Sequence, residues 1–437
     1  MKTQNDMLMK TNHQVGRVTP CASSLDEPAC GGQRTARPTL RAAALLLCLF
    51  TATFAAHAGT PVIGVYAFQH LPTDANPKYV EIDYSLYEPD YPAVSTASVN
   101  VQVSSDGGAT WTVPAHTFVN SSATVGPNVP LTSTTTFKTI TWDAGADWDG
   151  NYTAHCRVRV LVNAAGLAFI RAGTYNRGDN LDGESDAPVY PVYVSAFYMD
   201  TTLVTGGKWN LVVQGYGNAN GYDLSSRGAA KASNHPEQFV DWYNAVKWCN
   251  ARSEMEGATP VYYTDAGFTT VYKTGEVEPY VKPGANGYRL PTEAEWEKAA
   301  RGGLNGKRFP WGDNIDETLA NYQPGSGQSY DLGGTQTYAT GAPPWTSPVG
   351  SGSFPANGYG LYDMAGNVFE WCGDWYSSSY YSSGQTDPQG PLTSQSNRVL
   401  RGGSWDYGAK AARCADRNYV FPYLYYDRLG FRCVRGL

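Results

Sequence analysis

The segment from Arg398 to Arg435 constrains the fold more than any other part of the chain. It reads RVLRGGSWDYGAKAARCADRNYVFPYLYYDRLGFRCVR, in which glycine, aromatic and charged residues follow one another. This composition, which extends back to about residue 167, predicts short strands joined by long ordered loops. A domain with so little regular structure needs cross-links, and disulfides and bound calcium are the candidates.

Two helices are predicted within this region. The first begins after Asp241, whose side chain is suited to cap it, and the second begins at Thr292, which stands in capping-box spacing with Glu295. The pair Gly302 and Gly303 ends the second helix. The buried positions expected at helical spacing are Trp242, Val246 and Cys249 in the first helix, and Trp296 and Ala299 in the second.

Six sequence segments stand out along this region. They are PVYVSAFYMDTTLVT (191–205), DWYNAVKWCNARSEMEG (241–257), YRLPTEAEWEKAARGG (288–303), RFPWGD (308–313), NGYGLYDMAGNVFEWCGDWY (357–376) and the closing segment (398–435). In this order they resemble segments of the formylglycine-generating enzymes, the sulfatase-modifying factors. Each segment alone is only moderately specific, but together they point to one family. The resemblance implies an α+β domain over residues 166–437 with that family's variant of the C-type lectin fold.

One motif departs from the family pattern. In the catalytic members, a GGS sequence and an aromatic residue are followed by two cysteines that hold copper and oxidise a cysteine of the substrate. Here Tyr407 takes the place of the first cysteine. The loop from Ser404 to Arg413 is also shorter than the catalytic pattern, so the second position falls on Ala412 or in the gap. Without these thiols we expect neither copper binding nor a catalytic residue.

The two loops that line the substrate groove in the family are rich in aromatic residues here. They are DYG at 406–408 and NYVFPYLYYDR at 418–428, and they are also similar to the variable ligand-binding loops of retroelement-diversified proteins. Tyrosines here either supply rigid contact area for a ligand or pack as core, and their charged neighbours favour exposure. The candidate ligand contacts are Ser404, Tyr407, Tyr419, Tyr423, Tyr425, Tyr426 and Asp427.

The string LYDMAGNVFEW at 361–371 resembles the second calcium site of the family. By this resemblance the ion is bound by the carboxylates of Asp363 and Glu370 and by the carbonyls of Gly366 and Val368. Such oxygen ligands suit calcium. The alternative is that both carboxylates only accept hydrogen bonds from backbone amides of the loop.

A first calcium site of the family is matched only at its start, by Asn321 and the carbonyl of Tyr322. The acidic residue expected shortly before TSPV (346–349) is missing, and Asp331 is the acidic residue that could reach in from further back. The sequence therefore leaves the existence of this site open.

The chain has eight cysteines, and three of them lie before residue 59. In the family a disulfide joins the helix with the AVKWC sequence to the last strand with GFRC, which implies a bridge between Cys249 and Cys433. Cys372 and Cys414 are then the expected second pair, and Cys156 stays free as a small buried residue. None of the five shows the close pairing that zinc sites need.

Residues 1–58 are expected to be a leader that contains a signal peptide. The apolar run AAALLLCLFTATFAA (42–56) follows three arginines, and AHA at 56–58 supplies a small-residue cleavage site. The run is too short to span a bilayer. The long stretch before it leaves the true start codon open. We expect a secreted, periplasmic or cell-surface protein with no membrane insertion after the leader is removed.

Residues 59–165 read differently from the region that follows. Alternating runs rich in β-branched and aromatic residues are separated by clusters of Gly, Pro, Asn and Asp. The runs are KYVEIDYSLYE (78–88), ASVNVQVSSD (97–106), TTFKTITWDA (135–144) and YTAHCRVRVLVN (152–163). This pattern predicts an all-β sandwich of immunoglobulin or fibronectin type before the α+β domain.

Charge and motifs exclude several function classes. The formal net charge is −7 at pH 7, and the leader carries more basic than acidic residues, so no basic surface is left for nucleic acid. The sequence also lacks a nucleophile elbow and a phosphate-binding loop. Two hypotheses remain. One is a secreted binding module for a peptide, protein or glycan, and the other is an oxidase of sulfatase cysteines or a non-haem metal enzyme of the same family.

Overall fold

The structure is a computed structural model, and it describes most of the region after residue 165 and part of the region before it. The described ranges are 47–48, 62–69, 78–86, 96–107, 125–130, 136–149, 156–164, 166–181, 187–224, 227–350 and 352–436, with further positions at 113, 115, 117–119 and 151. The predicted signal peptide lies outside these ranges, apart from residues 47–48.

Two antiparallel sheets occupy the described part of the region before residue 165. Their elements are β1 (Leu47–Cys48), β2 (Val62–Gln69), β3 (Tyr79–Leu86), β4 (Thr96–Ser104), β5 (Gly126–Pro130), β6 (Thr136–Asp143), the short helix α1 (Ala144–Trp148) and β7 (Arg157–Ala164). The strand orders are β1-β2-β3-β6 and β5-β4-β7. Strands β3, β4, β6 and β7 therefore lie where the alternating sequence runs predicted them.

The two sheets share one apolar cluster. Val80, Ile82 and Tyr84 are buried at alternate positions of β3, as expected for a strand with one face covered. They belong to the same cluster as Val99 and Val101 of β4, in the other sheet. The assignment of this region to an immunoglobulin- or fibronectin-like sandwich stays a prediction.

The region after residue 165 combines three helices with many short strands. The helices are α2 (Gly206–Val212), α3 (Trp242–Met255) and α4 (Glu293–Ala300). The strands are β8 (Leu167–Ile170), β9 (Gly173–Arg177), β10 (Tyr190–Val194), β11 (Phe197–Asp200), β12 (Tyr262–Tyr263), β13 (Tyr280–Val281), β14 (Tyr288–Arg289), β15 (Phe369–Trp375), β16 (Gln385–Thr386), β17 (Arg398–Arg401), β18 (Asn418–Val420), β19 (Leu429–Gly430) and β20 (Val434–Arg435).

These strands form several small sheets. Two have four strands, in the orders β14-β20-β11-β8 and β18-β17-β15-β19. A three-stranded sheet has the order β16-β10-β9, and β12 pairs with β13. The predicted α+β architecture of short strands and long loops is confirmed. Among the described residues, no helix is long and apolar enough to cross a membrane.

The two predicted helices begin where the sequence placed them. The Asp241 side chain accepts a hydrogen bond from the backbone N–H of Asn244 at the start of α3. Thr292 and Glu295 form the complete capping box of α4. Helix α2 was not predicted from the sequence. It begins after Thr205, whose side chain accepts from the N–H of Lys208, and it continues into a π-helical turn at Val213–Gly217.

Helix α3 lies at the centre of the largest apolar cluster. The Trp248 ring stacks on Trp209 of α2 with centroids 6.1 Å apart, and its other neighbour, Phe431, meets it edge-on at 5.4 Å. Trp242 and Cys249 are buried in the same cluster. The helix is buried on almost every face rather than on one stripe, and even Lys247 is only 3% exposed. Its weak amphipathic pattern follows from this position.

A buried ionic cluster joins α4 to the strands around it. Glu297 is fully buried and accepts hydrogen bonds from Arg301 at 2.7 Å and from Arg401 of β17 at 2.7 Å. One turn earlier, Glu293 accepts two hydrogen bonds from Arg417 at 2.5 and 2.8 Å. Arg417 lies just before β18, so α4 is tied to the closing segment at two points, near its start and in its middle. The charged residues of the RLPTEAEWE sequence thus have a structural role.

Cys249, Cys372, Cys414 and Cys433 are buried free thiols in the structure, and Cys156, which was expected to be buried, is only partly buried. The sulfur atoms of Cys249 and Cys433 lie 3.4 Å apart, which is a contact and longer than the roughly 2.05 Å of a disulfide. Cys372 and Cys414 are buried in one apolar cluster. Both expected disulfides therefore remain predictions.

Replacing Glu297 by Gln should lower the free energy of unfolding by about 3 kcal/mol or more near neutral pH, because the buried arginines lose their counter-charge. Burial alone would raise the pKa of Glu297, but Arg301, Arg401 and Arg177 lower it from 4.5 to about 2. Its stabilisation is therefore complete above the ordinary pKa and is lost as the pH falls towards 2. Urea unfolding of both chains over this pH range measures the effect.

The control is Asp149→Asn, which removes the partner of Lys78 in an ion pair whose side chains are about 60% exposed. It should change the free energy of unfolding by at most about 1 kcal/mol. If the difference in free energy of unfolding between the parent and Glu297→Gln does not become smaller as the pH falls, the assigned role is contradicted.

Candidate ligand-binding surface

Six aromatic side chains of the closing segment are exposed together, and we call them the aromatic surface. They are Tyr407, Tyr419, Phe421, Tyr423, Tyr425 and Tyr426. Their exposed fractions run from 37% for Tyr426 to 50% for Tyr423. These tyrosines are therefore not core residues. Their exposure agrees with the prediction made from their charged neighbours. Phe421 was not among the residues selected from the sequence.

The main chain beneath the aromatic surface is fixed by hydrogen bonds to the start of α3. The N–H of Trp242 donates to the carbonyl of Pro422 at 3.0 Å, and the N–H of Phe239 donates to the carbonyl of Tyr426 at 3.0 Å. The carbonyl of Asp427 accepts from the side chain of Gln238 at 2.7 Å. Pro422 itself is buried. The backbone of the loop is thus anchored while its aromatic side chains face outwards.

Aromatic contacts hold several of these rings in place. Tyr407 meets Phe369 edge-on with ring centroids 4.9 Å apart. Phe421 and Tyr423 stack at 5.5 Å. Tyr419 lies against Tyr376 at 4.1 Å. Such contacts limit the rotamer freedom of exposed rings, which reduces the entropy that a ligand has to overcome when it binds.

Two arginines place positive charge beside the rings. Arg227 lies over Tyr425 at 4.1 Å from the ring centroid, and Arg428 lies over Tyr426 at 4.8 Å. Arg428 also pairs with Asp406 at 3.3 Å and with Asp427 at 3.8 Å. These three charged side chains are each about a quarter to a third exposed. The surface therefore offers aromatic faces with polar groups of both signs between them.

Ser404, which the sequence placed among the ligand contacts, is fully buried. Its hydroxyl donates to the carboxylate of Asp406 at 2.6 Å. The structure thus places Ser404 beneath the surface, where it orients the acid that pairs with Arg428. The sequence of the aromatic loop gave no indication that Arg227 and Tyr376 belong to this surface, because both reach it from segments far away in sequence.

The positions that correspond to the copper-binding cysteines hold Tyr407 and Ala412. The cysteine that follows them, Cys414, is fully buried, and burial raises its pKa to about 12. Burial also raises the pKa of Cys372 well above its ordinary value. Burial thus favours the neutral thiol over the thiolate at both positions, whereas the thiolate is the form that binds a metal.

The segment predicted to bind calcium forms a tight turn with three left-handed residues. The backbone φ is 56° at Asp363, 77° at Gly366 and 66° at Asn367. The Asp363 carboxylate accepts from the N–H of Gly350 at 3.1 Å and from the side chain of Asn367 at 3.2 Å. Both donors are neutral, so the charge of Asp363 is not balanced by them. Burial raises its pKa to about 6.

Glu370, the second carboxylate of this segment, is bound by an arginine. Both of its oxygens accept hydrogen bonds from Arg432, at 2.7 and 2.9 Å, and both side chains are fully buried. Burial raises the pKa of Glu370, although the charge of Arg432 opposes the rise. A calcium ion at this turn would meet a carboxylate with only neutral donors at Asp363, while Glu370 would have to share its oxygens between calcium and Arg432.

The start of the other expected calcium site lies beside this turn. The carbonyl of Asn321 accepts from the N–H of Asn367 at 2.7 Å, so the structure brings both candidate segments together. Asp331 does not turn towards Asn321. It accepts hydrogen bonds from Tyr322 at 2.7 Å and from Ser326. In the part of the chain that the structure describes, no group of three or more His, Cys, Asp or Glu side chains is arranged to hold a metal ion.

Comparison with known proteins gives a family match. Residues 157–437, more than half of the chain, match the Sulfatase-modifying factor enzyme 1-like domain. This range contains the aromatic surface and both candidate calcium segments.

Individual proteins are similar to part of the chain. The chain is 32% identical to the formylglycine-generating enzyme of Streptomyces coelicolor over 299 residues, which cover 63% of this chain and 89% of that protein. It is 31% identical to the serine/threonine-protein kinase pkn1 of Chlamydia caviae over 280 residues, but spans only 38% of that protein. The solved Treponema denticola variable protein 1 is 28% identical, with a TM-score of 0.49 over 62% of this chain and 95% of that one. On the family match and the enzyme relative, the chain belongs to the sulfatase-modifying-factor family.

Proposed function

We propose that this member of the family is a non-catalytic binding module that holds its ligand on the aromatic surface. The observation that carries the proposal is the exposure of six aromatic side chains, five of them on a loop whose main chain is bonded to residues 238–242. Aromatic side chains in such a setting are typical of binding sites, because they supply a large contact area at a low entropic cost.

The thiol chemistry supports a binding role over an oxidase. Oxidation of a substrate cysteine through copper needs soft thiolate ligands. Tyr407 and Ala412 supply none, and Cys414 is buried with a pKa raised to about 12. The oxidase activity that the names of several relatives suggest is therefore the less favoured hypothesis for this chain.

The chemistry of the surface indicates which ligands suit it. Exposed tyrosines combine a flat apolar face with a hydroxyl, and Asp406, Asp427 and Arg428 add charged groups within the same area. This combination suits an extended peptide, a protein surface or a glycan, each of which offers apolar faces next to hydrogen-bonding groups. We further propose that the mature protein acts in the secreted, periplasmic or cell-surface compartment, on the basis of the leader sequence.

We also propose that calcium binds at Asp363 and strengthens the turn that supports the surface. Asp363 is a buried carboxylate with neutral partners, and a divalent cation would offset the cost of its desolvation. The turn is bonded to the main chain just before Tyr407, since the N–H of Trp405 donates to the carbonyl of Asn367 at 3.0 Å. Stabilising the turn should therefore stabilise the loop that carries Tyr407.

Replacing Tyr407, Tyr423 and Tyr425 together by Ala should abolish ligand binding while the fold persists. The parent is first screened on a displayed peptide library and a glycan array, and the selected ligand is then titrated by calorimetry. Aromatic anchors at interfaces contribute about 2 kcal/mol or more each, so the triple variant should bind at least roughly a hundredfold more weakly. Loss of the ring contacts should reduce stability only modestly.

A matched control removes three exposed apolar side chains elsewhere, in the variant Val277→Ala, Leu304→Ala and Leu332→Ala. This control should bind the ligand as the parent does. The proposal fails if the tyrosine variant keeps the affinity of the parent, or if it unfolds and so shows that the rings are packing residues.

Calcium should raise the melting temperature of the parent, and chelation should lower it again. A ligand that binds only the folded state stabilises by about 2.7 kcal/mol at a hundredfold excess over Kd. The variant Asp363→Asn keeps the hydrogen-bond acceptor but removes the charge, so its melting temperature should not respond to calcium. If the parent has the same melting temperature with and without a chelator, Arg432 alone balances the buried carboxylates of Asp363 and Glu370.

A further inference from the structure

The segment that anchors the aromatic surface contains a buried acid without a counter-charge, Glu237. Its side chain is 2% exposed, and Oε2 has no hydrogen-bond partner among the described residues. The main chain passes so close that a Cβ at Gly228 would collide with Oε1, and one at Gly206 would lie 3.2 Å from Oε2. The Trp209 indole lies 2.9 Å from the same Gly228 Cβ position. A carboxyl group enclosed by glycine main chain and an aromatic ring is costly to ionise.

The start of α2, which lies beside Glu237, does not supply the missing partner. The first three N–H groups of this helix donate elsewhere. Their acceptors are the carbonyls of His235 and Ser233, at 3.0 and 2.8 Å, and the side chain of Thr205 at 3.1 Å. The positive end of the helix is therefore satisfied without the carboxyl group of Glu237.

The charged side chains on the segments around Glu237 also have other partners. The pairs are Lys208 with Asp200 at 2.9 Å, Arg227 with Asp241 at 3.3 Å, Arg432 with Glu370 at 2.7 Å, and the His235 ring with Thr346 at 3.0 Å. Lys231 is exposed to solvent. Burial therefore acts on Glu237 without compensation and raises its pKa from 4.5 to about 8.

The main chain at Glu237 is part of the structure that holds the loop at 418–428. The N–H of Glu237 donates to the carbonyl of Val204 at 2.8 Å, and the next two residues donate to the carbonyls of Asp427 and Tyr426. From the other side, a Cβ at Gly430 would lie 2.7 Å from the carbonyl oxygen of Glu237. A movement that detaches the loop therefore also loosens the packing around this acid.

We propose that Glu237 makes the anchoring of the aromatic surface depend on pH. The loop at 418–428 is held most firmly while the carboxyl group is neutral. Ionisation favours an open state in which the acid reaches water, so the anchoring weakens as the pH rises. The inference rests on the proposed function, because it concerns the same surface, and it adds a mode of regulation in which an acidic medium favours the ordered surface.

The sign of the effect is set by proton binding in the two states. In the closed state the pKa of Glu237 is about 8, and in an open state that exposes the acid it returns to 4.5. Between these values the open state binds fewer protons than the closed state. The stability of the closed state is thus complete below the lower value, and it falls by roughly a factor of ten for each pH unit as the pH rises towards the upper one.

Hydrogen exchange followed by mass spectrometry tests the proposal on the mature chain without any ligand. The N–H groups of Phe239 and Trp242 donate to carbonyls of the loop, so their exchange reports its release. After correction for the intrinsic exchange rate, their protection in the parent should fall roughly tenfold per pH unit between about pH 5 and 8. The amide of Ile82, in β3 of the region before residue 165, should show no such fall.

Two substitutions of Glu237 remove the titration. Glu237→Gln keeps the size of the neutral acid and cannot ionise, so the protection of Phe239 and Trp242 should stay constant over the same pH range. Glu237→Met also lacks a titratable group and should give the same result, which keeps the test decisive if the Gln variant does not fold. The matched control is Glu276→Gln, which changes an exposed glutamate and should keep the slope of the parent.

The proposal is overturned if the protection of these amides in the parent does not change with pH. It is also overturned if Glu237→Gln and Glu237→Met keep the slope of the parent. Because no ligand takes part, this result is separate from the ligand titration of the triple tyrosine variant, which tests the binding function itself.

Discussion

Two buried glutamates of α4, Glu293 and Glu297, are the feature on which the rest of the domain depends. Glu293 and Glu297 hold arginines that come from β17 and from the loop before β18. The short strands offer few ladder hydrogen bonds to connect these parts. Charged hydrogen bonds in the buried core therefore fix the position of the closing segment relative to α4. Removing one partner of such a bond would leave an uncompensated buried charge.

This arrangement separates support from recognition. Arg417 anchors the start of the loop at 418–428, and Leu429 is buried at its end. The backbone between them is bonded to residues 238–242. The aromatic side chains of the loop contribute little to the core. They can therefore serve binding, and their identity can change without loss of the fold.

Local features such as helix caps could be predicted well from the sequence, whereas contacts between residues far apart in sequence could not. Asp241 and Thr292 cap their helices as expected, because capping is decided within one turn. Helix α2 was missed, since its first two residues are glycines and its burial depends on the stacking of Trp209 on Trp248. The exposure of the tyrosines could be inferred from their charged neighbours. The contact of Arg227 with Tyr425 and the pairing of Arg432 with Glu370 could not, because both depend on tertiary structure.

The central claim is that this chain keeps the family scaffold without its copper chemistry. It is tested most directly by incubating the copper-loaded mature chain with a sulfatase peptide that contains the target cysteine, and detecting formylglycine by mass. The formylglycine-generating enzyme of Streptomyces coelicolor serves as the positive control. With Tyr407 and Ala412 in place of thiolates, we predict no product above the level without protein. Formylglycine formation above that level would contradict the account.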